Sequence, residues 1–74
     1  MSDNELFSTI KGVFDQKPML KDIAADKDFF DLGASSLTVV DLQIQLEEIL
    51  KIEVETSVLM SDPTLNGWVE AYRK

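Results

Sequence analysis

Apolar residues along the chain first recur at helical spacing, with Leu6, Ile10 and Val13 as one set and Phe7, Ile10 and Phe14 as an overlapping one. The spacing predicts a helix from Asp3 or Asn4 to Asp15, with either residue able to cap it and the apolar side chains turned into a core. Gly12 lowers helix propensity inside it, for no reason the sequence gives. From Gln16 to Ser35 the period breaks. Pro18 argues against helix there, and Met19, Leu20 and Ile23 read as anchors that pin a long loop to the core. The loop ends in Asp28-Phe29-Phe30-Asp31-Leu32-Gly33, two aromatics and a turn. A loop of this length in so small a chain implies function or firm anchoring.

Helical spacing returns from Ser36 to about Leu50, with the hydroxyl of Ser35 or Ser36 at the entry. Val54 to Met60 reads as a short connecting helix. A final helix follows, with Asp62 as its cap, Pro63 at its first position and Thr64 beside it. Leu65, Trp68, Val69 and Tyr72 supply its buried face. Three longer helices and one or two short ones make an all-α fold.

At about 100° per residue the second helix carries two apolar faces. Val39, Leu42, Leu46, Ile49 and Leu50 fall on one side, enough for the core of a small bundle. Leu37, Val40 and Ile44 fall nearly opposite, with Asp41 and Glu48 beside them and Glu47 at the other border. A chain of 74 residues can hardly bury both faces. Isolated surface apolar residues need no explanation. An apolar stripe rimmed by carboxylates reads better as a docking face that steers a basic partner. It begins at Ser36, where free N–H groups and the helix dipole favour an anion. On local physics alone, Gly33-Ala34-Ser35-Ser36 remains a turn and a helix cap.

Composition narrows the chemistry. The length is that of one domain, residues 1–74. With no cysteine there is no disulfide framework, thiolate metal site or cysteine nucleophile, and with no histidine there is no imidazole base or zinc ligand. A self-contained enzyme is therefore not expected. Fourteen acidic against seven basic residues, a net charge of -7, disfavour nucleic acid and favour partners with a positive docking surface. No signal peptide or membrane-length apolar run is present, so the expectation is a soluble, cytoplasmic protein, monomeric and bound to neither nucleic acid nor membrane. Asp26, Asp28 and Asp31 miss the spacing of a calcium loop, which argues against a metal site. An acidic helical interaction module without a prosthetic group is the alternative these features leave open.

The stretch Asp28 to Leu37, DFFDLGASSL, closely resembles the attachment motif of the acyl and peptidyl carrier proteins. In that family an aromatic-rich loop leads to Leu-Gly, two variable positions and Ser-Leu, here Leu32-Gly33 and Ser36-Leu37. The likeness continues through Val40, Leu42, Leu46 and Glu47-Glu48, and again at Leu59-Met60 and Asp62-Pro63-Thr64-Leu65. It implies a small four-helix bundle of the acyl-carrier type with a short third helix, and 4'-phosphopantetheine joined to Ser36. It also implies a phosphopantetheinyl transferase working with magnesium, a loading ligase, adenylation enzyme or acyltransferase, and downstream synthase, condensation or tailoring enzymes. Leu37, Val40 and Ile44 would then make apolar docking contacts, with Asp41, Glu47 and Glu48 as steering acids.

One position departs from the pattern: Ser35 stands where fatty-acid carriers usually have Asp and peptide-synthetase carriers Asp or His. Which transferase reads the loop is left open by that change. Phe29-Phe30 and Gly33-Ala34-Ser35-Ser36 look more like carriers of polyketide and nonribosomal peptide assembly, whereas Asp41, Glu47 and Glu48 resemble the stand-alone bacterial fatty-acid type. A discrete carrier in a specialised-metabolite pathway accommodates both. The Met start and the end soon after the last helix fit a free-standing protein, with an excised domain as the alternative.

Overall fold

The computed structural model describes residues 2–73 and, among them, four α-helices, two short 3-10 turns and no strand. Helix α1 spans Asp3–Asp15 and buries Leu6, Ile10, Val13 and Phe14. Its cap is Ser2, not Asp3 or Asn4: the Ser2 hydroxyl accepts from the Glu5 N–H at 3.2 Å and itself reaches the Glu5 carboxylate at 3.3 Å. Ser-x-x-Glu is a capping signature, and it moves the start back by one residue.

Pro18 opens the first 3-10 turn, Pro18–Leu20, in which Leu20 is fully buried. Met19 is half exposed and does not anchor the loop, because a three-residue turn can send only one of two adjacent side chains inward. Polar contacts do part of the anchoring instead. Lys11 bonds Asp15 at 2.9 Å, and Asp15 accepts the Asp22 N–H at 3.0 Å, holding Asp22 in the left-handed conformation at φ 59°.

The second 3-10 turn, Phe29–Leu32, begins where the Asp28 carboxylate accepts the Phe30 N–H at 2.8 Å and ends at Gly33, whose φ of 98° favours glycine. Phe29 is fully buried and meets Phe14 and Trp68 edge to face, at centroid distances of 5.7 and 5.6 Å. Its N–H donates to the Pro63 carbonyl at 3.0 Å, and the Asn66 N–H donates to the Ala25 carbonyl at 2.9 Å. The loop is thus tied to the last helix as well as to the first.

Helix α2 spans Ser36–Leu50, α3 spans Thr56–Ser61 and α4 spans Leu65–Tyr72. The cap of α4 is Thr64, whose hydroxyl accepts the Gly67 N–H at 2.9 Å; the expectation of Asp62 as cap and Pro63 as first residue places the start two residues too early. Leu65, Trp68, Val69 and Tyr72 are buried, and the Trp68 indole N–H donates to the Leu59 carbonyl at 3.1 Å, joining α4 to α3. Helix α1 packs on α2 and α4, and α3 on α2 and α4, around one hydrophobic core. This is the small all-α bundle with a short third helix that the sequence implies.

Candidate attachment site and outward helix face

The turn that closes at Gly33 delivers the chain to α2 through two short bonds, Gly33 N–H to the Phe30 carbonyl at 3.1 Å and Ala34 N–H to the Phe29 carbonyl at 3.3 Å. Ser35 is the N-cap, in extended conformation, with its N–H donating to the Thr38 hydroxyl at 3.3 Å and its carbonyl accepting from Val39 at 3.2 Å. Ser36 is the first helical residue, and its side chain is exposed. The two serines therefore differ in role. Ser35 ends the loop, while Ser36 stands free at the helix end. The first-turn N–H groups have no intrahelical acceptors, so a singly charged phosphodiester on Ser36 Oγ would sit at the positive end of α2 without being buried. The site fits a phosphopantetheine ester.

Along α2, Val39, Leu42 and Leu46 are fully buried. Leu37, Val40 and Ile44 are 79%, 41% and 54% exposed, so the outward stripe exists as expected. Ile49 does not belong to the inward face. It lies nearly in line with Leu42 on the wheel yet is half exposed, and in the last turn of α2 it is Leu50 that packs against the core. Leu32 adds an exposed apolar side chain just before Gly33. Its place in the Phe-Asp-Leu-Gly turn was the available signal.

The three acids beside the stripe are not equivalent. Asp41 is ion-paired with Lys17 of the loop and receives the Gln45 amide at 3.5 Å; the Lys17 bond holds its carboxyl below the usual value of 3.8. It ties the loop to α2, which spacing along one helix could not reveal. Glu47 is half-buried and accepts from the Gln43 amide at 3.0 Å. Glu48 is exposed and, among the described residues, has no ion-pair partner. Ile44, Glu47, Glu48, Lys51 and Glu53 line an open concavity of about 650 Å³ at the end of the stripe.

Gln43 also went unnoticed in the sequence. Its amide donates to the Val54 carbonyl and its oxygen accepts from the Thr56 hydroxyl, both at 2.6 Å, fastening α2 to the start of α3. Among the described residues no group of acidic side chains is placed to hold a metal ion. Asp28 caps a turn, and Asp31 lies 3.9 Å from Lys27.

A family model described as the phosphopantetheine attachment site matches residues 6–72, from α1 to the end of α4. The chain belongs to this family of carrier domains, whose prosthetic group is 4'-phosphopantetheine. It is also 41% identical over 48 residues to a polyketide synthase-nonribosomal peptide synthetase of Aspergillus flavipes. That match covers 65% of this chain and 1% of the fungal protein. No solved structure matches the chain. No helix among the described residues is long and apolar enough to cross a membrane.

Proposed function

We propose that Ser36 carries the 4'-phosphopantetheine and that the protein presents acyl or aminoacyl thioesters to partner enzymes in polyketide or nonribosomal peptide biosynthesis. The observation that carries this reading is the exposed hydroxyl of Ser36 on the first residue of α2, at the head of the outward stripe. The pathway rests on the likeness to the fungal synthetase. When bound, the group supplies a terminal thiol that holds the cargo as a thioester.

The chain's own residues do the remaining work. Ser36 Oγ provides the ester oxygen. The chain has no histidine to take its proton, and on this reading that base belongs to the phosphopantetheinyl transferase. Leu37, Val40 and Ile44 make the apolar contacts with the transferase, with a loading ligase, adenylation enzyme or acyltransferase, and with downstream synthase, condensation or tailoring enzymes. Glu48 is the free steering charge, Glu47 acts from the border of the stripe, and Asp41 holds the loop that presents Ser36. A shuttling carrier must leave each partner, and micromolar binding corresponds to about 8 kcal/mol. The test is the intact mass after incubation with coenzyme A and a promiscuous transferase. A gain of one phosphopantetheine, with one new titratable thiol, is expected; an unchanged mass under conditions that modify a control carrier overturns the reading.

A further inference from the structure

The last third of the chain builds another concavity, apart from the outward stripe of α2. Residues 51–55, which join α2 to α3, form with α3 and α4 an open trough of about 690 Å³. Its apolar lining is aliphatic: Ile52, Val54, Val58 and Ala71. Its remaining lining includes Glu53, Glu55, Asp62 and Glu70, all exposed. Glu70 is neutralised by Arg73 at 3.0 Å, whereas Glu53, Glu55 and Asp62 meet no cation among the described residues. Gly67 gives the trough its shape. A Cβ there would stand 2.6 Å from the Asp62 carbonyl oxygen and collide with the Asp62 carboxyl group, so only glycine lets Asp62 lie against α4.

We propose that this trough is a second docking surface, occupied by a partner peptide segment that carries aliphatic side chains flanked by lysine or arginine. Val58 is exposed while Ile52, Val54 and Ala71 are half-buried against the core, so the lining offers a shallow aliphatic floor to an apolar stripe, and three unneutralised carboxylates around it select cationic flanks. The same charges repel phosphate backbones and anionic lipid. An open trough encloses too little of a small molecule to hold it, whereas a peptide can lie along it. Its lining shares Glu53 with the concavity at the end of α2 and includes none of Leu37, Val40 or Ile44. One protein can therefore hold the carrier by the trough while another engages the Ser36 end.

Amide chemical shifts, followed while a short amphipathic leucine–lysine peptide is titrated in, test the idea. Saturable shifts are expected at Ile52, Val54, Val58, Gly67 and Ala71, weakening with salt. Val58→Glu, at an exposed position, should weaken this binding at least tenfold, and Glu53→Gln with Glu55→Gln should weaken it without touching the aliphatic lining. Ile44→Lys and Ser36→Ala should leave it unchanged, so it is separable from the carrier reading. Shifts confined to α2, shifts that never saturate, or wild-type binding by the trough variants overturn the proposal.

Discussion

Two faces of one helix divide the labour in this protein. On α2, Leu46 is fully buried and Ile44, two residues earlier, is 54% exposed, though both are large aliphatic side chains. The inward set holds the bundle together; the outward set leaves apolar surface in water beside an exposed serine. In so small a protein that exposure forgoes burial of about 25 cal/mol per Å². A helix with apolar residues on both sides is thus informative only once the buried side is known, because only then is the side left in water identified.

The largest effect that sharpens this contrast is at Leu46. Leu46→Ala should cost about 2–5 kcal/mol and Leu46→Lys should abolish cooperative unfolding, whereas Ile44→Lys should change stability by no more than about 0.5 kcal/mol. Thermal melts of the three variants check this, and a loading assay should find Ile44→Lys folded but poorly loaded. Stable, normally loaded Ile44→Lys protein would reduce the stripe to ordinary surface. Next in size is Gly67→Ala, expected to cost about 1–3 kcal/mol by overpacking against Asp62. Gly12→Ala should do the opposite. A Cβ there meets nothing within 4 Å, so denaturant titration should find a gain of about 0.5–1 kcal/mol.

Smaller effects depend on pH. Asp15 is held below the usual carboxylate range first by the Asp22 N–H and then by Lys11, and Asp41 first by its Lys17 hydrogen bond. Because the folded values lie below the unfolded ones, their contribution is present above about pH 4 and is lost as pH falls through the folded values. Melts of the wild type and Asp41→Asn from pH 6 downward should therefore converge at acid pH. Tyr72 titrates in the other direction. Burial, with the Glu47 charge second, pushes its phenol up to about 12. The unfolded chain loses that proton first, so stability should fall as pH rises from about 10 to about 12. Tyr72→Phe should lack that loss. Its cost at neutral pH should be small, because the buried hydroxyl has no hydrogen-bond partner among the described residues.

What the sequence made legible follows from which interactions are local. Helical spacing located α1, α2 and the buried face of α4, because a period of 3.6 residues writes itself into the order of side chains. The bounds of α2 and the exposed stripe followed from the same arithmetic. Ile49 did not: the wheel sets it in line with Leu42, but in the last turn of α2 it is Leu50 that packs against the core. The caps were missed at Ser2 and Thr64 for a different reason: several oxygen-bearing residues stand in a row at each start, and only backbone geometry chooses among them. The contacts that join Lys17 to Asp41, Gln43 to Val54 and Thr56, and Gly67 to Asp62 were not legible. Their partners lie on different elements, and no periodicity records such pairings. At the candidate site, Ser36 was distinguished from Ser35 by family resemblance, and the structure adds a physical difference between cap and first helical residue.

That difference sets up the most direct test of the carrier reading. Ser36→Ala and Ser35→Ala are each incubated with coenzyme A and a promiscuous transferase, and their intact masses are compared with that of the wild type. The expected result is no added group on Ser36→Ala, with its melt nearly unchanged. Ser35→Ala should still be modified, with a loss of about 0.5–2 kcal/mol for the missing cap residue. Modification of Ser36→Ala, or its absence from folded Ser35→Ala alone, would contradict the assignment of the attachment site to Ser36.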